Sequence, residues 1–171
     1  SAGKLHDAFV TQYDADDPQS LRYLNILCVR LVFCLYAEDA GIFGKRDMFH
    51  DFLAHYQTED MRMALVQLFE VLNTPADKRS KYLNPSLAAF PYTNGGLFAE
   101  DIDIPQFTDE LRDTLLQHAS LDFDWSEISP TIFGGVFEST LNPETRRSGG
   151  MHYTSIENIH KVIDPLFYNC L

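Results

Sequence analysis

The chain has 171 residues, 45% of them apolar and 22% charged, which is enough for one domain with a core and too apolar for a disordered segment. A formal net charge of −12 excludes a domain that grips nucleic acid mainly through a basic stripe. No uninterrupted apolar run approaches the roughly 20 residues of a membrane span, since the longest, Ile26 to Ala37, is broken by Arg30.

The opening Ser1-Ala2-Gly3 reads as a cloning scar, and no signal sequence follows it. The strongest helix signal runs from Pro18 to Asp39. Leu21, Leu24, Cys28, Leu31 and Leu35 form one stripe at steps of three and four, and Ile26, Leu27, Val32 and Phe33 widen it nearly all round. A helix apolar on most faces is a central one. Asp17 is placed to cap it with Pro18 at its first position, and Gly41 to stop it. Glu38 and Asp39 sit at its C-terminal end, where the helix dipole disfavours them. They are expected to face water or pair with nearby arginines; the sharper alternative is docking on another domain.

Asp47 to Tyr56 predicts a short helix. Thr58 to Leu72 predicts a longer one, capped by Thr58 and burying Met61, Ala64, Leu65, Leu68, Val71 and Leu72. Between Tyr82 and Phe107 the helical period fades and Pro85, Pro91, Gly95, Gly96 and Pro105 appear. Asn94-Gly95-Gly96 signals a turn, and Leu97-Phe98 with Ile102 to Ile104 predicts a small β-hairpin at a seam between two packed parts. Helices then return. Thr108 caps a helix from Asp109 to about His118, Asp124 and Glu127 form a capping-box pattern, and Ser129-Pro130 opens a helix with Ile132, Phe133, Val136 and Phe137 on its apolar face. A second capping box, Thr154 to Glu157, starts a last helix that Pro165 bends or ends. The fold class is therefore mainly α: a helical bundle with a small β-hairpin element in the middle.

Cys28, Cys34 and Cys170 form no CxxC pair, and no second Cys/His pair has zinc-ligand spacing, so they read as buried thiols of a cytosolic protein. No P-loop, HExxH or GxSxG motif is present, nor a carboxylate followed two residues later by Lys; the acidic cluster Glu100, Asp101 and Asp103 reads as a solvated turn. The basic islands Lys45-Arg46, Lys78-Arg79 with Lys81, and Arg146-Arg147 read as solvated surface, with DNA contact as the alternative.

Two stretches are informative together: Leu35 to Phe43 (LYAEDAGIF), and Ile132 to Glu138 (IFGGVFE) continuing through Pro143, Arg146, Arg147 and Gly150-Met151-His152-Tyr153-Thr154-Ser155, with Asn94 to Phe98 between them. In this order they resemble the large bacterial adenine-N6 DNA methyltransferases of the MmeI-like type, which combine methylation with restriction or phage defence. The resemblance implies a helical spacer over residues 1–141, with the seam at 82–107, and the truncated start of a methyltransferase domain over 142–171. It also implies that His152, Tyr153 and Thr154 belong to the motif that lines the S-adenosylmethionine pocket, with Ser155 in place of the commoner Pro. A helix start presents free amides to an anion such as the cofactor's carboxylate. Tyr153 could then pack on the cofactor, while the Thr154 hydroxyl could contact it or cap its own helix. His152 reads as structural rather than catalytic.

The glycine-rich cofactor loop and the (N/D)PP(Y/F) motif for a flipped base are missing, because Asn84-Pro85-Ser86 and Asn142-Pro143-Glu144 both fail at the third position. The chain alone is therefore expected to be inactive. The implied parent is a cytoplasmic, S-adenosylmethionine-dependent, site-specific adenine-N6 methyltransferase. DNA and the adjacent nuclease and methyltransferase domains would be its partners, with no membrane involved. The alternative is a protein–protein interaction module with no cofactor contact.

Overall fold

The computed structural model describes residues 9–93, 96–129 and 131. Its regular elements are helices: α1 (Pro18–Asp39), α2 (Met48–Ala54), a 3-10 turn (Thr58–Asp60), α3 (Met61–Leu72), a 3-10 turn (Ala76–Lys78), α4 (Pro85–Ala88), α5 (Asp109–Asp113) passing into a π-helical stretch (Thr114–Leu121), and a 3-10 turn (Trp125–Glu127).

Helix α1 is the axle of the fold. The Asp17 carboxylate accepts the Gln19 N–H at 3.1 Å and Pro18 takes the first turn, so the start falls where the sequence places it. Past its end, Gly41 adopts φ +76°, a left-handed conformation that suits glycine. From Ile26 to Leu35 every residue is buried. By length and composition this helix would suffice to cross a membrane, contrary to the expectation from the interrupted apolar run, because Arg22 and Arg30 do not outweigh their apolar neighbours. In this fold the rest of the chain covers it instead.

An aromatic relay crosses the core beside α1. Phe98, Phe33, Phe43, Phe90, Phe52 and Tyr56 meet edge to face in succession, with ring centroids 5.7, 6.1, 5.1, 5.6 and 5.3 Å apart. Each such pair contributes roughly 0.5–1.5 kcal/mol beyond the area it buries. The relay ties segments distant in sequence into one core, which also takes in Leu97, Ile104, Phe107, Leu111, Leu115 and Trp125.

Helix α3 buries the predicted face, Met61, Ala64, Leu65, Leu68, Val71 and Leu72, together with Phe69. Thr58 is not its cap: the chain enters through a 3-10 turn, and the Thr58 hydroxyl donates to the Asp109 carboxylate on α5. Thr108 does cap α5, accepting the Leu111 N–H at 3.1 Å. The helix then widens to i→i+5 bonding, and both Leu115-Leu116 and Ala119-Ser120 face inward. The Asp124 carboxylate caps a single 3-10 turn through Ser126, and Ser129 accepts the Thr131 N–H at 3.2 Å; the expected helix beyond lies outside the described residues.

The predicted β-hairpin is absent: no strand occurs among the described residues. The physical reason lies in where the carbonyls of residues 97–104 go. Arg30 takes the Leu97 and Glu100 oxygens at 2.9 and 2.7 Å, Arg62 takes Ile104 at 2.7 Å, and the Tyr13 hydroxyl takes Asp103 at 2.7 Å. Side chains from elsewhere in the fold occupy acceptors that a partner strand would otherwise use. Leu97, Phe98 and Ile104 point into the core.

Candidate functional site

Several of the described charged side chains cap elements other than their own. Glu38 is 0% exposed. One of its oxygens accepts the His50 N–H at 2.8 Å, and the other accepts the Ser120 hydroxyl at 2.7 Å. The need for it is local. Asp47 precedes α2 with φ 58° and makes no side-chain cap, so the first turn of α2 has free amides, and Glu38 reaches from α1 to satisfy one. Asp39 accepts the Trp125 N–H at 2.8 Å, at the start of the 3-10 turn. Glu38 therefore neither faces water nor pairs with an arginine, contrary to the expectation from sequence, whereas Asp39 is half-buried with the Arg46 charge nearby; both cap other elements from the end of α1.

Burial pushes the Glu38 carboxyl up to about 7, against the opposing pull of the His50 amide and the Ser120 hydroxyl. Asp39 is also raised, again mainly by burial. Oxygens of Glu38, Asp39 and Asp47 lie within 4.8 Å of one another, a spacing a cation would tolerate, but both Glu38 oxygens are already engaged as caps.

Guanidinium groups do the converse at helix C-termini, where the dipole favours positive charge. Arg79 donates to Val71 and Thr74 at the end of α3 (2.9 and 3.0 Å) and to Ala88 and Phe90 at the end of α4 (3.3 and 2.8 Å). Arg112 donates to Ala54 and Tyr56 at the end of α2, at 3.1 and 3.3 Å. Arg30 is 2% exposed, lies 5.2 Å from the Phe69 ring centre and 5.6 Å from that of Phe98, and is lowered to about 10, chiefly by burial, so it stays charged at neutral pH. Arg22 pairs with the Glu100 carboxylate at 2.6 Å.

Of the residues singled out from sequence, His152, Tyr153 and Thr154 lie outside the described residues, as do Arg146-Arg147, Gly134-Gly135 and Cys170. Cys28 and Cys34 are buried free thiols, as expected. Within the island at 78–81, Arg79 is structural, whereas Lys78 and Lys81 are exposed. Sequence reading missed the capping roles of Glu38, Asp39, Arg79 and Arg112 and the hold of Arg30 on the Leu97 and Glu100 carbonyls. The available signals were a charge inside an apolar helix, at Arg30, and carboxylates at the unfavourable helix end, at Glu38 and Asp39.

Nothing in this arrangement resembles a reaction centre. It is a helical scaffold whose elements are pinned to one another by charged caps. Residues 22–98 match the family described as the MmeI helicase spacer domain. Over 151 residues, 88% of this chain, the sequence is 40% identical to DNA methyltransferase A of Bacillus subtilis (strain 168), and the match spans only 17% of that protein. The fold is similar to that of the Type IIL restriction-modification enzyme MmeI, solved in complex with DNA, with a TM-score of 0.65 and 42% identity, covering 97% of this chain and 22% of that one. The chain is a spacer region of the MmeI type, related to DNA methyltransferases.

Proposed function

We propose that this chain is the helical spacer of a longer, cytoplasmic DNA adenine-N6 methyltransferase with a restriction-modification role. In that protein it joins a nuclease or amino-terminal region to the methylating domain and holds their relative orientation. The observation that carries the reading is the cross-capping system. Glu38, Asp39, Arg79 and Arg112 each terminate an element other than their own, so shearing one helix past another breaks charge-assisted hydrogen bonds. That is the property a spacer needs. The similarity to DNA methyltransferase A and to MmeI supports the same reading.

In the longer protein, the segment His152, Tyr153 and Thr154 supplies one wall of the S-adenosylmethionine site, within the opening of the methyltransferase domain at 142–171. Tyr153 packs on the cofactor and Thr154 contacts it or caps the adjoining helix, while His152 is structural. The cofactor supplies the methyl group; no described residue is assigned a contact with it. The test is titration calorimetry of S-adenosylmethionine with the longer protein. Thr154→Ala is expected to weaken binding, and unchanged affinity would remove Thr154 from the site.

A further inference from the structure

The fold uses most of its described cations internally. Arg22 is paired with Glu100, and Arg30, Arg62, Arg79 and Arg112 are committed to backbone carbonyls. Among the described residues, the side chains of Lys45, Arg46, Lys78 and Lys81 make no hydrogen bond or ion pair, and all four residues are exposed.

Three of these lie on or beside two adjoining clefts. Lys78 lines a cleft of about 500 Å³ and Lys45 lines a second of about 440 Å³; the two clefts adjoin, sharing Tyr56 and Asn84 as lining residues. Tyr82 stands at the first cleft, 84% exposed, and the Lys81 ammonium lies 5.1 Å from its ring centre. The Arg79 guanidinium, facing carbonyls and no carboxylate, adds a fixed positive charge to the wall of the same cleft. Two carboxylates also line the clefts: Asp51, engaged with His50 at 3.0 Å, and Glu70.

Unpaired, long-stemmed cations beside an exposed aromatic ring suit a chain of phosphates. In a protein of net charge −12, they stand out as a place where a polyanion is tolerated. We propose that Lys45, Lys78 and Lys81, with Tyr82, form a contact surface for the phosphate backbone of duplex DNA, independent of base sequence. The assignment of DNA as the polyanion rests on the reading of the chain as a methyltransferase spacer. The small number of lysines makes it a guide that positions the duplex, not the main clamp.

The test is an NMR titration of the isotope-labelled 171-residue chain with a short mixed-sequence duplex at low salt, with poly-L-glutamate as a second probe. Duplex DNA is expected to move amide resonances clustered at residues 45–56 and 78–84, with the same affinity for unrelated sequences. In the triple variant Lys45→Gln, Lys78→Gln, Lys81→Gln, affinity should fall at least tenfold. The log–log salt slope should fall by about 2 to 3, at roughly 0.9 per phosphate contact. Resonances outside the patch should stay in place, which shows that the variant is folded. Shifts located elsewhere, no shift at millimolar duplex, or an equal response to poly-L-glutamate would overturn the proposal. The calorimetric test of Thr154 reads a different event, so failure of the patch leaves the spacer reading standing, and failure there leaves the patch to be judged on these shifts.

Discussion

Glu38 offers the sharpest physical prediction. Its carboxyl is raised from the usual 4.5 to about 7, first by burial. A group protonated more readily in the folded state than in the unfolded one stabilises the fold at low pH, and that contribution is lost as pH rises through the window from about 4.5 to 7. At about 1.36 kcal/mol per pH unit, the loss between pH 5 and pH 8 comes to about 2 to 3 kcal/mol. Glu38→Gln keeps the shape and an acceptor for the His50 amide, and its NH2 can donate to the Ser120 hydroxyl, yet it cannot titrate. Urea unfolding of the two proteins at pH 5 and pH 8 isolates the effect from every other titrating group. The stability of Glu38→Gln relative to wild type should improve by about 2 to 3 kcal/mol between the two pH values. Parallel pH dependence for the two proteins would refute the buried, charge-penalised carboxyl. Glu38→Ala should be destabilising at both, by about 2 to 4 kcal/mol, because it leaves a buried amide and hydroxyl without partners.

Three further expectations follow from the same geometry. Arg30→Ala should cost about 3–5 kcal/mol in denaturant unfolding, and Arg30→Lys should recover only part of it, since a point charge cannot serve both the Leu97 and Glu100 carbonyls from one plane. Trp125, the single tryptophan and 0% exposed, donates its indole N–H to Ala119 at 2.9 Å; its emission should be blue-shifted when folded, and Trp125→Ala should lose about 3–5 kcal/mol. Cys28 and Cys34 are buried, and burial drives the Cys34 thiol well above its ordinary range, so peptide mapping after thiol labelling should find both modified only once the protein unfolds.

Local chemistry was legible from the sequence and long-range chemistry was not. The bounds of α1 follow from Asp17, Pro18 and an apolar stripe, and the Thr108 and Asp124 caps act within three residues of themselves. The hairpin expected near Leu97 failed because Arg30 and Arg62, 67 and 42 residues away from their respective carbonyl partners, claim the acceptors. Thr58 has the composition of a cap but bonds to Asp109, 51 residues on. Glu38 looked like a solvated charge because its partners, His50 and Ser120, come from two other elements. No periodicity within one helix announces such a pairing. Of the site residues implied by resemblance, His152, Tyr153 and Thr154 lie outside the described residues, so the cofactor wall is a proposal that rests on the resemblance of their motif.

The most direct test of the account is a genome-wide map of N6-methyladenine in the source organism with and without the gene that encodes this chain. The spacer reading predicts that methylation at one recognition sequence disappears with the gene and returns with the intact gene, but not with a copy carrying Thr154→Ala and Tyr153→Ala together. An unchanged methylation map after deletion would contradict it.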